Sequence, residues 1–89
     1  MKIRNDDLGK LNELKLDLLS PPYSFRLSAI AMGYINDTIG IISKYADENN
    51  SYIQELKELK FTIESTSDKA TLRELCKRAA IVITNFTHA

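Results

Sequence analysis

Tyr23, Ser24, Phe25, Arg26 and Ser28 bring two aromatic rings, a guanidinium and two hydroxyls together directly after Pro21 and Pro22. If Ser24 opens a helix, the free N–H groups of its first turn favour an anion. Arg26 then adds a planar cation able to hold a phosphate through two parallel hydrogen bonds. Tyr23 or Phe25 offers a face for a purine, a stacking contact worth ~1–3 kcal/mol per base. Together these groups suit a small, anionic, base-bearing ligand. The same residues also make an ordinary helix start, with an apolar staple, a hydroxyl cap and an Arg stem lying along the surface. Both readings stand at this level. A second row of cations, Lys69, Arg73 and Lys77, repeats at one-turn spacing. It can meet phosphates from a neighbouring subunit or simply form a solvated helix face.

Groups suited to catalysis are sparse. His88 lies one residue from the end of the chain, a poor place for a general base. Cys76 shares a helical stripe with Leu72, Ala79 and Ala80, which suits a small core residue better than a reactive thiol. Asp6 with Asp7, and Asp47 with Glu48, are adjacent acidic pairs that capping explains as well as metal binding does. No Gly-rich phosphate loop, nucleophile elbow or HExxH motif occurs. One Cys cannot form an internal disulfide, and one His cannot build a Cys/His zinc site. The chain is expected not to be an enzyme and to need no metal or cofactor.

These residues sit on 89 residues of 10.1 kDa, enough for one domain over residues 1–89. Twelve Lys and Arg balance twelve Asp and Glu, so bulk charge draws the chain to neither DNA nor a membrane. The opening residues lack the apolar run of a signal peptide. The longest apolar stretch, Leu27 to Ile42, is interrupted by Tyr34, Asn36, Asp37 and Thr38 and falls short of the ~20 residues a span needs. The Asn-x-Ser/Thr matches at Asn36, Asn49 and Asn85 are then chance, and a cytoplasmic protein is expected. A chain this short buries only ~60–65% of its unfolded surface. With nothing to cross-link it, self-association is the natural supplement.

Apolar residues recur at helical spacing and nowhere alternate in the strand manner. The pattern predicts an all-α fold, a small antiparallel bundle of three to four helices that assembles into a symmetric oligomer. The first helix is expected from Asp6 to Leu19, with Leu8, Leu11, Leu14 or Lys15, and Leu18 as its stripe and Asn5 to Asp7 at its cap. The second runs from a Ser24 cap to Ala46, with Leu27, Ile30, Ala31, Tyr34, Ile35, Thr38, Ile41, Ile42 and Tyr45 as a broad apolar face. On it Ala29, Gly33 and Gly40 can admit a closely packed helix. Ser51 and Gln54 form a capping-box pattern for a third helix reaching Glu64. Ser65 to Asp68 breaks the chain before a fourth helix from Lys69 to Phe86, although the two can also fuse.

The segment from Ser20 to Lys44 carries a resemblance. A short leading helix, a Pro-bearing turn, then a basic residue (Arg26) and a hydroxyl (Ser28) open a long helix of small and apolar residues. This order is similar to that of the small phage anti-CBASS proteins, sponges for the cyclic oligonucleotides of a bacterial immune signalling system. The family often continues with a Thr-Lys-Leu-Glu-Glu-Ala-like run, where this chain has Met32 to Asp37. The resemblance implies a helical hexamer that holds cyclic dinucleotides between subunits without degrading them, with separate sites for cyclic trinucleotides, in the host bacterial cytoplasm. It also implies a base-stacking aromatic residue and phosphate-gripping basic residues. With the residue reading, it gives a candidate set of Tyr23, Phe25, Arg26, Ser28, Lys69 and Arg73. The competing expectation is a small helical interaction protein, either a bacteriocin immunity protein or a phage inhibitor of a host protein, anchored through Phe61, Tyr45 and Tyr52.

Overall fold

Each stretch of helical periodicity forms one helix. The computed structural model describes residues 2–89 and contains α1 (Asn5–Leu19), α2 (Leu27–Ile42), α3 (Ser51–Glu64) and α4 (Lys69–Thr87), with no strand among those residues. The third and fourth helices do not fuse. The Ser65 and Thr66 hydroxyls donate to the carbonyl of Thr62 at 3.1 and 2.7 Å, closing α3. The Asp68 carboxylate accepts from the N–H and hydroxyl of Thr71, opening α4 and holding its own pKa below the ordinary value.

Several helix ends depart from the sequence expectation. α2 begins at Leu27 rather than beside Ser24, because the Ser24 hydroxyl accepts from the N–H of Arg26 and spends the cap on a preceding turn. It ends at Ile42, and Ser43 to Ala46 continue as turns. The cap of α3 is Asn50, whose side chain accepts from the N–H of Tyr52. Gln54 reaches back to the Glu48 carbonyl instead of closing a box on Ser51. α1 starts at Asn5 with Arg4 in the cap position and no side-chain cap bond.

Contacts between helix ends establish the topology. Asp7 of α1 meets Lys44 and Tyr45 just past α2, and the Ser28 hydroxyl at the start of α2 donates to the Ile63 carbonyl near the end of α3. Tyr52 at the start of α3 packs edge-on against Phe86 at the end of α4. Tyr23, just past α1, meets Arg73 near the start of α4. Neighbouring helices are therefore antiparallel around the ring. α4 packs on all three others, while α1 and α3 lie on opposite sides and do not meet. The Cα radius of gyration of 12.3 Å is close to the ~12 Å of a single compact unit. Among the described residues, no helix is long and apolar enough to cross a membrane.

The core is a single apolar cluster. Leu11, Leu18, Ile35, Ile42, Leu56, Ile63, Ile83 and Phe86 are all essentially without solvent contact. Cys76 is fully buried and burial pushes its thiol pKa up, which makes it a packing residue. Asp7 is the unexpected member. It falls in helical register with Leu11, Leu14 and Leu18 and is only 2% exposed. Its carboxylate accepts from the Tyr45 hydroxyl at 2.5 Å and from Lys44 Nζ at 3.0 Å, while the N–H of Arg4 donates to the Tyr45 oxygen. The Tyr45 bond, then Lys44, holds the Asp7 pKa below 3.8, outweighing burial. The same bond, with burial, raises that of Tyr45 above 10.0.

Stability carried by Asp7 is present above pH 3.8 and is lost as pH falls through its lowered folded-state pKa. Stability carried by Tyr45 is present below pH 10.0 and is lost as pH rises through its raised one. Urea midpoints measured across pH should fall at both ends, and Asp7→Asn should flatten the acid limb. An unchanged acid limb in that variant would assign acid sensitivity to other carboxylates. Gly9 lies inside α1 with nothing within 4 Å of the position a Cβ would take. Gly9→Ala should therefore stabilise by up to ~1 kcal/mol, raising Tm by about 4–8 °C in a thermal melt.

Candidate functional site

The two prolines remove two backbone donors and separate α1 from α2, and the Ser24 turn then carries the chain into Leu27. Tyr23, Phe25 and Arg26 ride on this connection. Because Leu27 alone turns inward here, the two aromatic rings point away from the core, with Tyr23 90% and Phe25 87% exposed. Each ring is accompanied by a guanidinium. Arg26 Cζ lies 5.8 Å from the centroid of its neighbour Phe25. Arg73, from the first half of α4, places its Cζ 4.2 Å from the centroid of Tyr23.

The second pairing joins residues far apart in sequence, and antiparallel packing of α1 against α4 is what delivers it. A guanidinium over a tyrosine face is held by the ring quadrupole, a contact worth ~0.5–1 kcal/mol at an exposed site. That fixes the Arg73 side chain while leaving its charge available. Neither Arg26, Arg73 nor Lys69 lies within 4.0 Å of a carboxylate among the described residues. Lys69 is exposed one turn before Arg73, and Lys77 one turn after it. Ser28 is placed differently: its hydroxyl is half-buried and donates to the Ile63 carbonyl at 3.3 Å, tying α2 to α3. The structure thus brings together Tyr23 with Arg73 and Phe25 with Arg26, while Ser28 faces the neighbouring helix.

The surface here is open. Two rings and two guanidiniums offer flat faces and fixed positive charge, which suits stacking and phosphate contact. Grooves lie elsewhere, along the two flanks of α2. One of about 530 Å³ separates α1 from α2, and another of about 390 Å³ separates α2 from α3. Sequence reasoning did not find either groove, since each is made where two helices pack, by residues that no local spacing links. It also read Asp7 as a helix-start charge, although the i, i+4 register with Leu11 was a usable signal for burial.

Comparison of the chain with protein-family models, curated proteins and solved structures finds no match to any of them.

A double-mutant cycle on Tyr23→Leu and Arg73→Met should return a coupling of ~0.5–1 kcal/mol in urea denaturation, with each single variant costing little. Strict additivity would mean that the two side chains do not hold one another in solution.

Proposed function

We propose that this protein is a non-catalytic binder that sequesters cyclic di- or trinucleotides, and so blunts a bacterial anti-phage signal. The observation that carries the reading is the seating of Arg73 on Tyr23 beside a second ring–guanidinium pair, Phe25 with Arg26. A cyclic dinucleotide presents two bases and two phosphates on a small ring. Flat aromatic faces and unneutralised guanidiniums complement both kinds of group. Sequestration needs affinity and no proton transfer or nucleophile, consistent with an aromatic-cationic surface as the binding element. Assembly of several copies, as the resemblance implies, would add Lys69 or Lys77 of a neighbour to the same ligand.

A protein-binding reading has one specific observation in its favour, the 74% exposure of Phe61 on α3. Tyr45 and Tyr52 do not support it, because both are half-buried against the cluster. A helical inhibitor would therefore rest on Phe61 alone among the three aromatic anchors.

Thermal melts in the presence of cyclic dinucleotides and trinucleotides test the binding reading. Ligand at a hundred times its Kd should add ~2.7 kcal/mol to the native state, which raises Tm by roughly 10 °C or more. Arg73→Ala and Arg26→Ala should each weaken binding at least about tenfold, the loss of one charge-assisted contact, while the far-ultraviolet circular dichroism stays the same. Recovery of intact ligand after release separates sequestration from degradation. No shift with any member of the panel would overturn the proposal and favour a protein partner.

A further inference from the structure

The outer face of α2 is an unpartnered surface with opposite charge on its two sides. Ala29, Gly33, Asn36 and Gly40 form its exposed ridge, directly opposite the buried row of Leu27, Ala31, Ile35, Thr38 and Ile42. The glycines do not serve packing within the chain, since a Cβ built on Gly33 or Gly40 would meet nothing within 4 Å. On the α1 side, the groove of about 530 Å³ has Leu14 and Ile41 in its lining and carries Glu13, Asp17 and Asp37 against one ammonium, Lys10. On the α3 side, the groove of about 390 Å³ carries Lys57 and Lys60 against one carboxylate, Glu64, and includes the exposed ring of Phe61. None of these charged groups is in an ion pair among the described residues.

We infer that this face is an isologous interface with a second copy of the same chain, with α1 of each protomer set against α3 of the other. Charge selects both the partner and the orientation. A two-fold axis running along α2 brings the acidic flank of one copy onto the basic flank of its partner, and does so twice. An axis running across α2 brings acidic onto acidic and basic onto basic, where like charges repel. Only the first arrangement is self-complementary, and it sets the two α2 ridges parallel. The small residues let the ridges approach closely, and each Phe61 is carried onto the α1 flank of the other protomer. A thin single core thereby gains a second apolar contact. The interface lies on a different part of the surface from the Tyr23–Arg73 pair and does not depend on what that pair binds.

Charge reversal tests this inference by sedimentation equilibrium. Wild type should be a dimer at micromolar concentration. Lys57→Glu with Lys60→Glu, and separately Glu13→Lys with Asp17→Lys, should each weaken self-association at least about tenfold by facing like charge with like. An equimolar mixture of the two variants should associate again, because both flanks of the mixed pair are then complementary. Gly33→Gln adds bulk only where the second copy sits, and Gln is a better helix former than Gly, so it should abolish the dimer without destabilising the monomer fold. It keeps the test decisive should a charge-reversed chain fail to fold. A monomeric wild type, a dimer indifferent to the reversals and to Gly33→Gln, or variants that do not associate when mixed would each overturn the assignment. All of these variants retain Tyr23, Arg26 and Arg73, so nucleotide titration on them reports ligand binding separately.

Discussion

The inward face of α4 is the surface on which the other three helices depend. Leu72, Leu75, Cys76, Ala79, Ala80, Val82, Ile83 and Phe86 are buried along it, more than on any other helix. Large residues occupy the two ends of this face and the small Cys76, Ala79 and Ala80 its middle. Small side chains let neighbouring helices approach, while Phe86 fills the end where Tyr52 packs edge-on against it. α2 reaches α4 across the bundle, and α1 and α3 are held apart on either side. Placement of each surface group follows from that seam together with the α1–α2 and α2–α3 packing, because each helix turns outward whatever its neighbours do not cover.

Hydrophobic burial alone leaves the ends of such a bundle free to splay, and polar contacts close them. At one end the Asp7 carboxylate receives Tyr45 and Lys44 together, joining the start of α1 to the turn after α2. An ionised carboxylate inside protein is costly unless its oxygens are satisfied. Here a charged and a neutral donor satisfy them. Near the opposite end, Ser28 bonds the Ile63 carbonyl and Asp68 caps α4. The connection bearing Tyr23 and Arg26 passes this end, so the exposed rings sit on a well-anchored part of the molecule.

Both proposed roles use the outside of the bundle. Two ring–guanidinium pairs lie beside the α1–α2 connection, and oppositely charged flanks border α2. The roles proposed for the two surfaces rest on different residues and different chemistry, stacking with phosphate contact in one and charge matching over an apolar groove in the other. A single short chain can carry both because its core uses only one face of each helix.

The type and approximate limits of the helices were legible in the sequence, and their number to three or four, because helical periodicity and the Pro21–Pro22 and Ser65–Asp68 breaks act locally. The burial of Cys76 was legible for the same reason. Helix ends were less so: Ser24 and Ser51 are good caps by type, but Asn50 and the Ser24 turn compete for the same N–H groups one or two residues away. Of the candidate site, the cluster from Tyr23 to Arg26 could be seen directly, being contiguous. The seating of Arg73 on Tyr23, the inward use of Ser28 and Asp7, and the charged grooves beside α2 could not. Each depends on which helices become neighbours and how far they rotate. That is decided by the packing of whole apolar faces against α4, and no local spacing encodes it.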